Sequence, residues 1–365
     1  MNQLFERFSK RAILFCAGVL LLCGYAFAQA PPEKPAAKPQ GKPAETPAAK
    51  VLEKTEEPPN AAQIELLETK YRFETNGDSR KEVHAVVKIN SELGVRQFAR
   101  LNFDYNRSFQ SVEVQMVRIA HAHGGTSDIL PSAITDLPNP AVEKFPAYHD
   151  VRVKSVRILG LQPGDSLEYR VVTSTAKAPL APDFWLDHTF DGTGVVSQET
   201  FEIEVPASLQ ITPKVNPNTP FASSSHERQG AESSVIYLWK RGSSAESPAS
   251  AKPDSNSPDV SLSTFKSWDQ LAERLAAIIL PTKEERSAMR ERAFAISKGI
   301  VDAETNQYYD FVSQKIKTVD LTLDATGFGR RKPMEILESG YASAEDKFVL
   351  FAAMGLTDAG FLSES

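Results

Sequence analysis

The sequence predicts a multidomain chain, a β-sandwich followed by a mainly α segment. Three observations carry that prediction. Short runs of alternating apolar residues, punctuated by turn residues, fill 61–241; a Ser-, Ala-, Pro- and Asp-rich stretch from Gly242 to Pro258 interrupts them; and beyond it apolar residues recur at helical spacing. The chain has 365 residues, 41% hydrophobic and 24% charged, proportions of a globular protein long enough for two domains.

The first 28 residues read as a secretory signal. Arg7, Lys10 and Arg11 form a positive front, Ala12 to Leu22 an apolar stretch, and Ala26-Phe27-Ala28 a small-x-small cleavage site, so cleavage is expected after Ala28. The apolar stretch is short of the roughly 20 residues a spanning helix needs. An uncleaved anchor is therefore the lesser alternative, as is lipidation at Cys23, because Leu20-Leu21-Leu22 before it lacks the small residues that such processing prefers. Both cysteines, Cys16 and Cys23, lie in this segment, which leaves the expected mature chain without thiol chemistry. Residues 29–60 then turn to Pro, Ala, Lys and Glu and hold eight of the 24 prolines. Such a stretch cannot bury enough apolar surface to order itself, and it is expected to be a disordered, semi-stiff spacer.

Within 61–241, Val83, Ala85, Val87 and Ile89 alternate with mostly polar neighbours. Val112, Val114 and Met116, then Val151, Val153 and Ser155, and past a phase shift Val156 and Ile158, continue the pattern. Gln162-Pro163-Gly164-Asp165 has proline and glycine at the centre of a type II turn, predicting a hairpin between Arg157-Ile158-Leu159 and the run starting at Leu167. Val235 to Trp239 reads as an interior strand with Trp239 in the core. Residues 242–262 are expected to be a linker.

From 263 to 365 the chain reads as helical. Ser267-Trp268-Asp269-Gln270 is a capping box, followed at helical spacing by Trp268, Leu271, Ala272, Leu275, Ile278 and Ile279 until Pro281. Thr282-Lys283-Glu284-Glu285 opens a second helix in the same way. Tyr308, Phe311, Val312 and Ile316 mark a third, and Ser343-Ala344-Glu345-Asp346 caps a fourth through Phe348, Phe351 and Ala352.

Several motifs occur together in order: Tyr148-His149-Asp150-Val151-Arg152, Leu159-Gly160-Leu161-Gln162-Pro163-Gly164-Asp165, Phe184-Trp185 and Tyr237-Leu238-Trp239. On these residues the chain resembles domain-of-unknown-function family 3857, a bacterial extracytoplasmic β-sandwich usually followed by a transglutaminase-like domain. Tyr341-Ala342-Ser343-Ala344-Glu345-Asp346-Lys347 sits where such domains carry Tyr-Gly-Asp-Cys-Lys-Asp-Lys. The resemblance implies a papain-like α+β segment whose cysteine opens a helix, where amides and dipole stabilise a thiolate. Here that position is Ala344, which has no nucleophile. The histidines are His84, His121, His123, His149, His188 and His226, so none follows residue 226. The sequence ends at Ser365, before the strands expected to bring the family's histidine and aspartate, and the segment is expected to be an incomplete transglutaminase-like one. Ser343 is read as a helix cap rather than a substitute nucleophile.

Other candidates are weaker. His121-Ala122-His123 would place two imidazoles on one strand face, yet no carboxylate or cysteine stands beside them in sequence, and a strand end entering the Gly124-Gly125 turn is the simpler reading. Asp150 and Arg152 are expected to form cross-strand ion pairs. Trp185, Asp187 and His188 are the candidate binding residues, as a carbohydrate or peptide platform, although a sandwich tryptophan is more often core. Gly192-Thr193-Gly194 lacks the rest of a phosphate loop. A net charge of −6 and a pI near 5.7 leave no basic footprint for nucleic acid. No catalytic residue, cofactor or metal is expected. The sequence is read as a periplasmic or secreted, noncatalytic binding or scaffolding protein, with a protein or cell-envelope component as partner and no membrane span once the signal is removed. A transglutaminase- or cysteine-protease-like enzyme, or an envelope glycan-binding module, is the alternative.

Overall fold

A computed structural model describes residues 60–209, 211, 213–217, 222–228, 233–242, 257–297, 304–323 and 325–355, which fall in one compact unit, Asn60–Ser365. The expected signal, and the expected spacer apart from Asn60, lie outside the described residues, as do 243–256 and 356–365.

The β elements come first: β1 (Ala62–Phe73), β2 (Ser79–Ile89), a short helix α1 (Glu92–Phe98), β3 (Arg100–Asn106), β4 (Gln110–Ala120), β5 (Thr126–Asp128), β6 (Ile134–Pro138) and β7 (Val151–Arg157). They continue with β8 (Ser166–Thr175), β9 (Trp185–His188), β10 (Gln198–Pro206), β11 (Lys214–Val215), β12 (Ala222–Arg228), β13 (Ser234–Gly242) and β14 (Val260–Ser263). Helices then dominate: α2 (Trp268–Ile279), α3 (Lys283–Ser297), α4 (Glu304–Lys315), β15 (Lys317–Thr318), α5 (Pro333–Ser339), β16 (Tyr341–Ala342) and α6 (Ala344–Gly355). The architecture is thus a mostly β region followed by a helical one.

One layer is a large sheet in the order β12-β13-β10-β1-β2-β8-β4-β5, antiparallel except where β1 meets β10. The facing layer is divided. The sheet β3-β7-β6 covers one half, joining Leu101 and Val156 to Val87, Ile89, Val117, Ile119 and Leu167 of the large sheet. The sheet β11-β14-β9 covers the other, where Val260 and Leu262 pack with Phe201, Ile203, Val205 and Trp239. Alternation explains the assignment: Ala85, Val87 and Ile89 are buried on one face of β2, and Val151, Val153, Ser155 and Val156 are buried along β7 with the phase shift the sequence predicts. Each of these valines and Ile89 contributes roughly 1.5–3 kcal/mol on burial.

Four expectations are corrected. The predicted hairpin across Gln162–Asp165 does not form: β7 pairs with β3 and β6, while β8 pairs with β2 and β4. The turn itself is present, with Asp165 N donating to Gln162 O at 3.1 Å and Gly164 at φ +92°, but it carries the chain from one layer to the other. Residues 260–262, expected in a linker, belong to β14, whose Val260 and Leu262 are fully buried between the layers. Trp185 is not core but 42% exposed. The fourth concerns one residue of each of two helix faces: Leu271 of α2 and Ala352 of α6 are buried as expected, but Trp268 is 62% exposed and Phe348 half exposed, and α6 also buries Val349, Leu350 and Ala353.

The caps follow the sequence closely. Ser267 Oγ accepts from Gln270 N at 3.2 Å, and Thr282 Oγ1 accepts from Glu285 N at 3.2 Å while Glu285 Oε2 accepts from Thr282 N at 2.8 Å. Met289 and Ala293 of α3, Tyr308 and Val312 of α4, Ile336 of α5 and Val349, Leu350 and Ala353 of α6 form the helical core.

Candidate functional site

The start of α6 is the position at which the sequence singles out Ala344. Ser343 is 1% exposed and its Oγ accepts from Asp346 N at 3.2 Å, which is N-cap geometry and leaves the hydroxyl sealed from solvent. Ala344, one residue on, is exposed. The turn thus presents a methyl group outward and buries its hydroxyl.

The buried side of the turn is filled from the β region. Tyr148, from the short 3-10 turn ahead of β7, places its hydroxyl between Asp346 and the backbone of Ser343. It donates to Asp346 Oδ2 at 2.5 Å and accepts from Ser343 N at 2.7 Å. Asp346 Oδ1 accepts from Arg331 N at 2.9 Å, so both carboxylate oxygens are engaged. The Arg331 guanidinium lies 5.4 Å from the Tyr148 ring centre and 5.1 Å from that of Tyr341. Burial, then the neighbouring Asp346 charge and its hydrogen bond, push the Tyr148 hydroxyl up to about 12. Around it Val142, Tyr148, Val151 and Val319 form a small core, Ala147 N donates to Tyr341 Oη at 3.2 Å, and Asn106 Nδ2 donates to Ala325 O at 2.8 Å. This junction ties the β region to the helices on the buried side of the turn that opens α6.

The three candidate binding residues share β9 but do not converge. Trp185 meets Trp268 edge to face at 5.8 Å, and its Nε1 donates to Asp187 Oδ1, which also accepts from Ser261 Oγ. His188 points the other way: its ring stacks on Phe201 at 4.0 Å, and Nε2 lies 3.2 Å from Glu199 Oε1 outside hydrogen-bond geometry. Trp185 and Asp187 therefore remain on the surface, while His188 packs inward.

The remaining candidates resolve into local structure. His121 and His123 do not lie on a strand, because β4 ends at Ala120; Gly124 N closes the turn on His121 O, and His121 Nδ1 lies 3.1 Å from Asp165 Oδ2. Asp150 pairs with Arg107 at 2.7 Å and Arg152 with Asp136 at 2.7 Å, both to other strands or turns. In the Gly192-Thr193-Gly194 loop, Asp191 accepts from Thr193 N, Thr193 Oγ1 and Val196 N. Among the described residues no group of three or more His, Cys, Asp or Glu side chains is arranged to hold a metal, and no helix is long and apolar enough to cross a membrane. Sequence reasoning missed the Tyr148–Asp346 pair, although Tyr148 opens the motif Tyr148-His149-Asp150-Val151-Arg152 and Asp346 lies in the stretch Tyr341–Lys347; nothing in either motif marks them as partners.

The family model of the Domain of Unknown Function DUF3857, a family with a solved structure, matches residues 75–247. A "putative protease" from Parabacteroides distasonis has the same fold at a TM-score of 0.68 and 15% identity, covering 80% of this chain. The chain spans 58% of that protein's length. An M1 zinc metallopeptidase from Deinococcus radiodurans, at 11% identity over 56% of this chain and 42% of its own, reaches a TM-score of only 0.29. No curated protein matches the sequence.

Proposed function

We propose that this chain, the bearer of a DUF3857 domain, is an extracytoplasmic binding or scaffolding protein whose helical segment keeps the frame of a transglutaminase-like domain without its thiol chemistry. The carrying observation is the seat of Tyr148: the sandwich supplies a hydroxyl that satisfies Asp346 and Ser343 N at the start of α6. Thiol catalysis would need a nucleophile at the outward position of that turn, which is Ala344, and a base to take its proton. Ser343 does not replace it, because its hydroxyl is buried and committed to the cap. Export rests on the charged front, apolar stretch and Ala26-Phe27-Ala28 site of the first 28 residues. Binding would then fall to the sandwich and to the surface the two regions share.

The test is amine transfer and peptide hydrolysis by the purified chain, on glutamine-containing and unstructured peptides. The reading expects no turnover above buffer. Turnover that is lost on Ser343→Ala or His188→Gln would overturn it in favour of an enzyme with a replacement nucleophile.

A further inference from the structure

We propose that Ser127, His121 and Asp165 form a nucleophilic acyl-transfer site at the edge of the sandwich, acting on small activated esters. The proposal goes beyond the reading above, which concerns the helical segment.

The geometry begins with a β-ribbon. Strands β4 and β5 pair antiparallel with Ile119 opposite Ser127 and Ala120 opposite Thr126, and His121 follows directly as the chain leaves β4 for the turn, which keeps it beside Ser127 of the neighbouring strand. The turn between them is held by His121 N to Gly125 O at 3.0 Å and Gly124 N to His121 O at 2.9 Å. His121 Nε2 then lies 2.9 Å from Ser127 Oγ, and Nδ1 lies 3.1 Å from Asp165 Oδ2. Asp165 comes from the layer-crossing turn and is 3% exposed. It accepts from Ala122 N at 3.0 Å through Oδ1 and from Gln162 N at 3.0 Å through Oδ2. Burial pushes its carboxyl up, but these amides and the imidazole outweigh that and hold it below the usual carboxylate range.

An ionised carboxylate only accepts hydrogen bonds, so His121 must present Nδ1–H to Asp165. In the neutral ring Nε2 is then the acceptor, and the partner that donates to it is the Ser127 hydroxyl. That is the arrangement by which a serine is activated: acid orienting base, base within reach of nucleophile. The other described histidines lack it. His84 lies between two carboxylates, Glu68 and Glu168, each at 2.9 Å, and His149 meets the Glu143 carbonyl. Ser127 is exposed, so a substrate reaches it directly, and Leu130, three residues on, offers exposed apolar surface. The open setting suits an ester with a good leaving group rather than an amide.

In the reaction Ser127 Oγ forms a bond to the acyl carbon and its proton passes to His121 Nε2. The bond from acyl carbon to leaving oxygen breaks, and that oxygen departs with the proton. Water, deprotonated by the same nitrogen, then releases the acid and restores Ser127.

The test is reaction of the full chain with a fluorophosphonate, read by intact mass and peptide mapping. Here the Ser127 Oγ–P bond forms and fluoride leaves. We expect a single adduct on Ser127, none in Ser127→Ala, and a rate lowered by about 100-fold or more in His121→Gln. No adduct, an adduct on another residue, or an unchanged rate in His121→Gln would overturn the site. Asp165 also closes its turn, so its positioning role is read from nitrogen-15 spectra of the unsubstituted chain under mildly alkaline conditions. A His121 protonated at Nδ1 and bare at Nε2 is expected, and the opposite tautomer would overturn the assignment. Amine transfer that persists in Ser127→Ala would instead count against the proposed reading of the helical segment.

Discussion

Tyr148 shows what one residue does in joining the two regions. Its hydroxyl is donor to Asp346 and acceptor from Ser343 N, so deleting it leaves two buried polar groups unsatisfied, at a cost of about 1–3 kcal/mol for each. Its ionisation is held up to about 12, against an ordinary 10.0, by burial first and by the Asp346 charge next. The folded state therefore favours the neutral phenol. Stability from this group is complete below the unfolded value near 10 and is lost as the pH rises from there through about 12. Denaturation midpoints measured across that window should fall for the native chain and fall less steeply for Tyr148→Phe; parallel curves would show that the phenol is not the group involved. Residue-level signals of this kind were only partly legible in the sequence. Ser267, Thr282 and Ser343 announce their caps because capping is settled within four residues. Tyr148 and Asp346 stand 198 positions apart, and His121 and Asp165 44 apart, so nothing local marks either pair.

At the scale of elements, β14 is the informative case. Its four residues follow a Ser- and Pro-rich stretch that reads as a boundary, yet Val260 is paired with both Val215 and His188, and Leu262 with Leu186. The alternation of Val260 and Leu262 is real, but four residues are too few to stand out beside turn-forming neighbours. If β14 is core, Leu262→Ala should lower stability by about 2–5 kcal/mol, as for a buried leucine that leaves a cavity. A loss within about 0.5 kcal/mol, as at a surface position, would return these residues to the linker. The layer-crossing turn teaches a related lesson. Pro163 and Gly164 specify a turn but not which strands it joins, because pairing is decided by the faces those strands bury. Trp185 and Trp268 fail for the same reason: both fit the strand and helix patterns, but Phe184 and Leu271 are the buried residues beside them and the two indoles meet outside.

For the whole molecule, the broad plan of β region followed by helices was legible from periodicity alone, and the DUF3857 match at 75–247 agrees with the motifs that suggested it. How the two regions meet was not, because the junction is built from contacts between distant segments: Asn106 with Ala325, Ala147 with Tyr341, Tyr148 with Asp346. Through this last pair the sandwich occupies the buried side of the α6 start. A double-mutant cycle on Tyr148→Phe and Asp346→Ala, read by chemical denaturation, tests it most directly. A coupling of about 1–3 kcal/mol between the two substitutions is expected. Effects that simply add, to within about 0.3 kcal/mol, would contradict it.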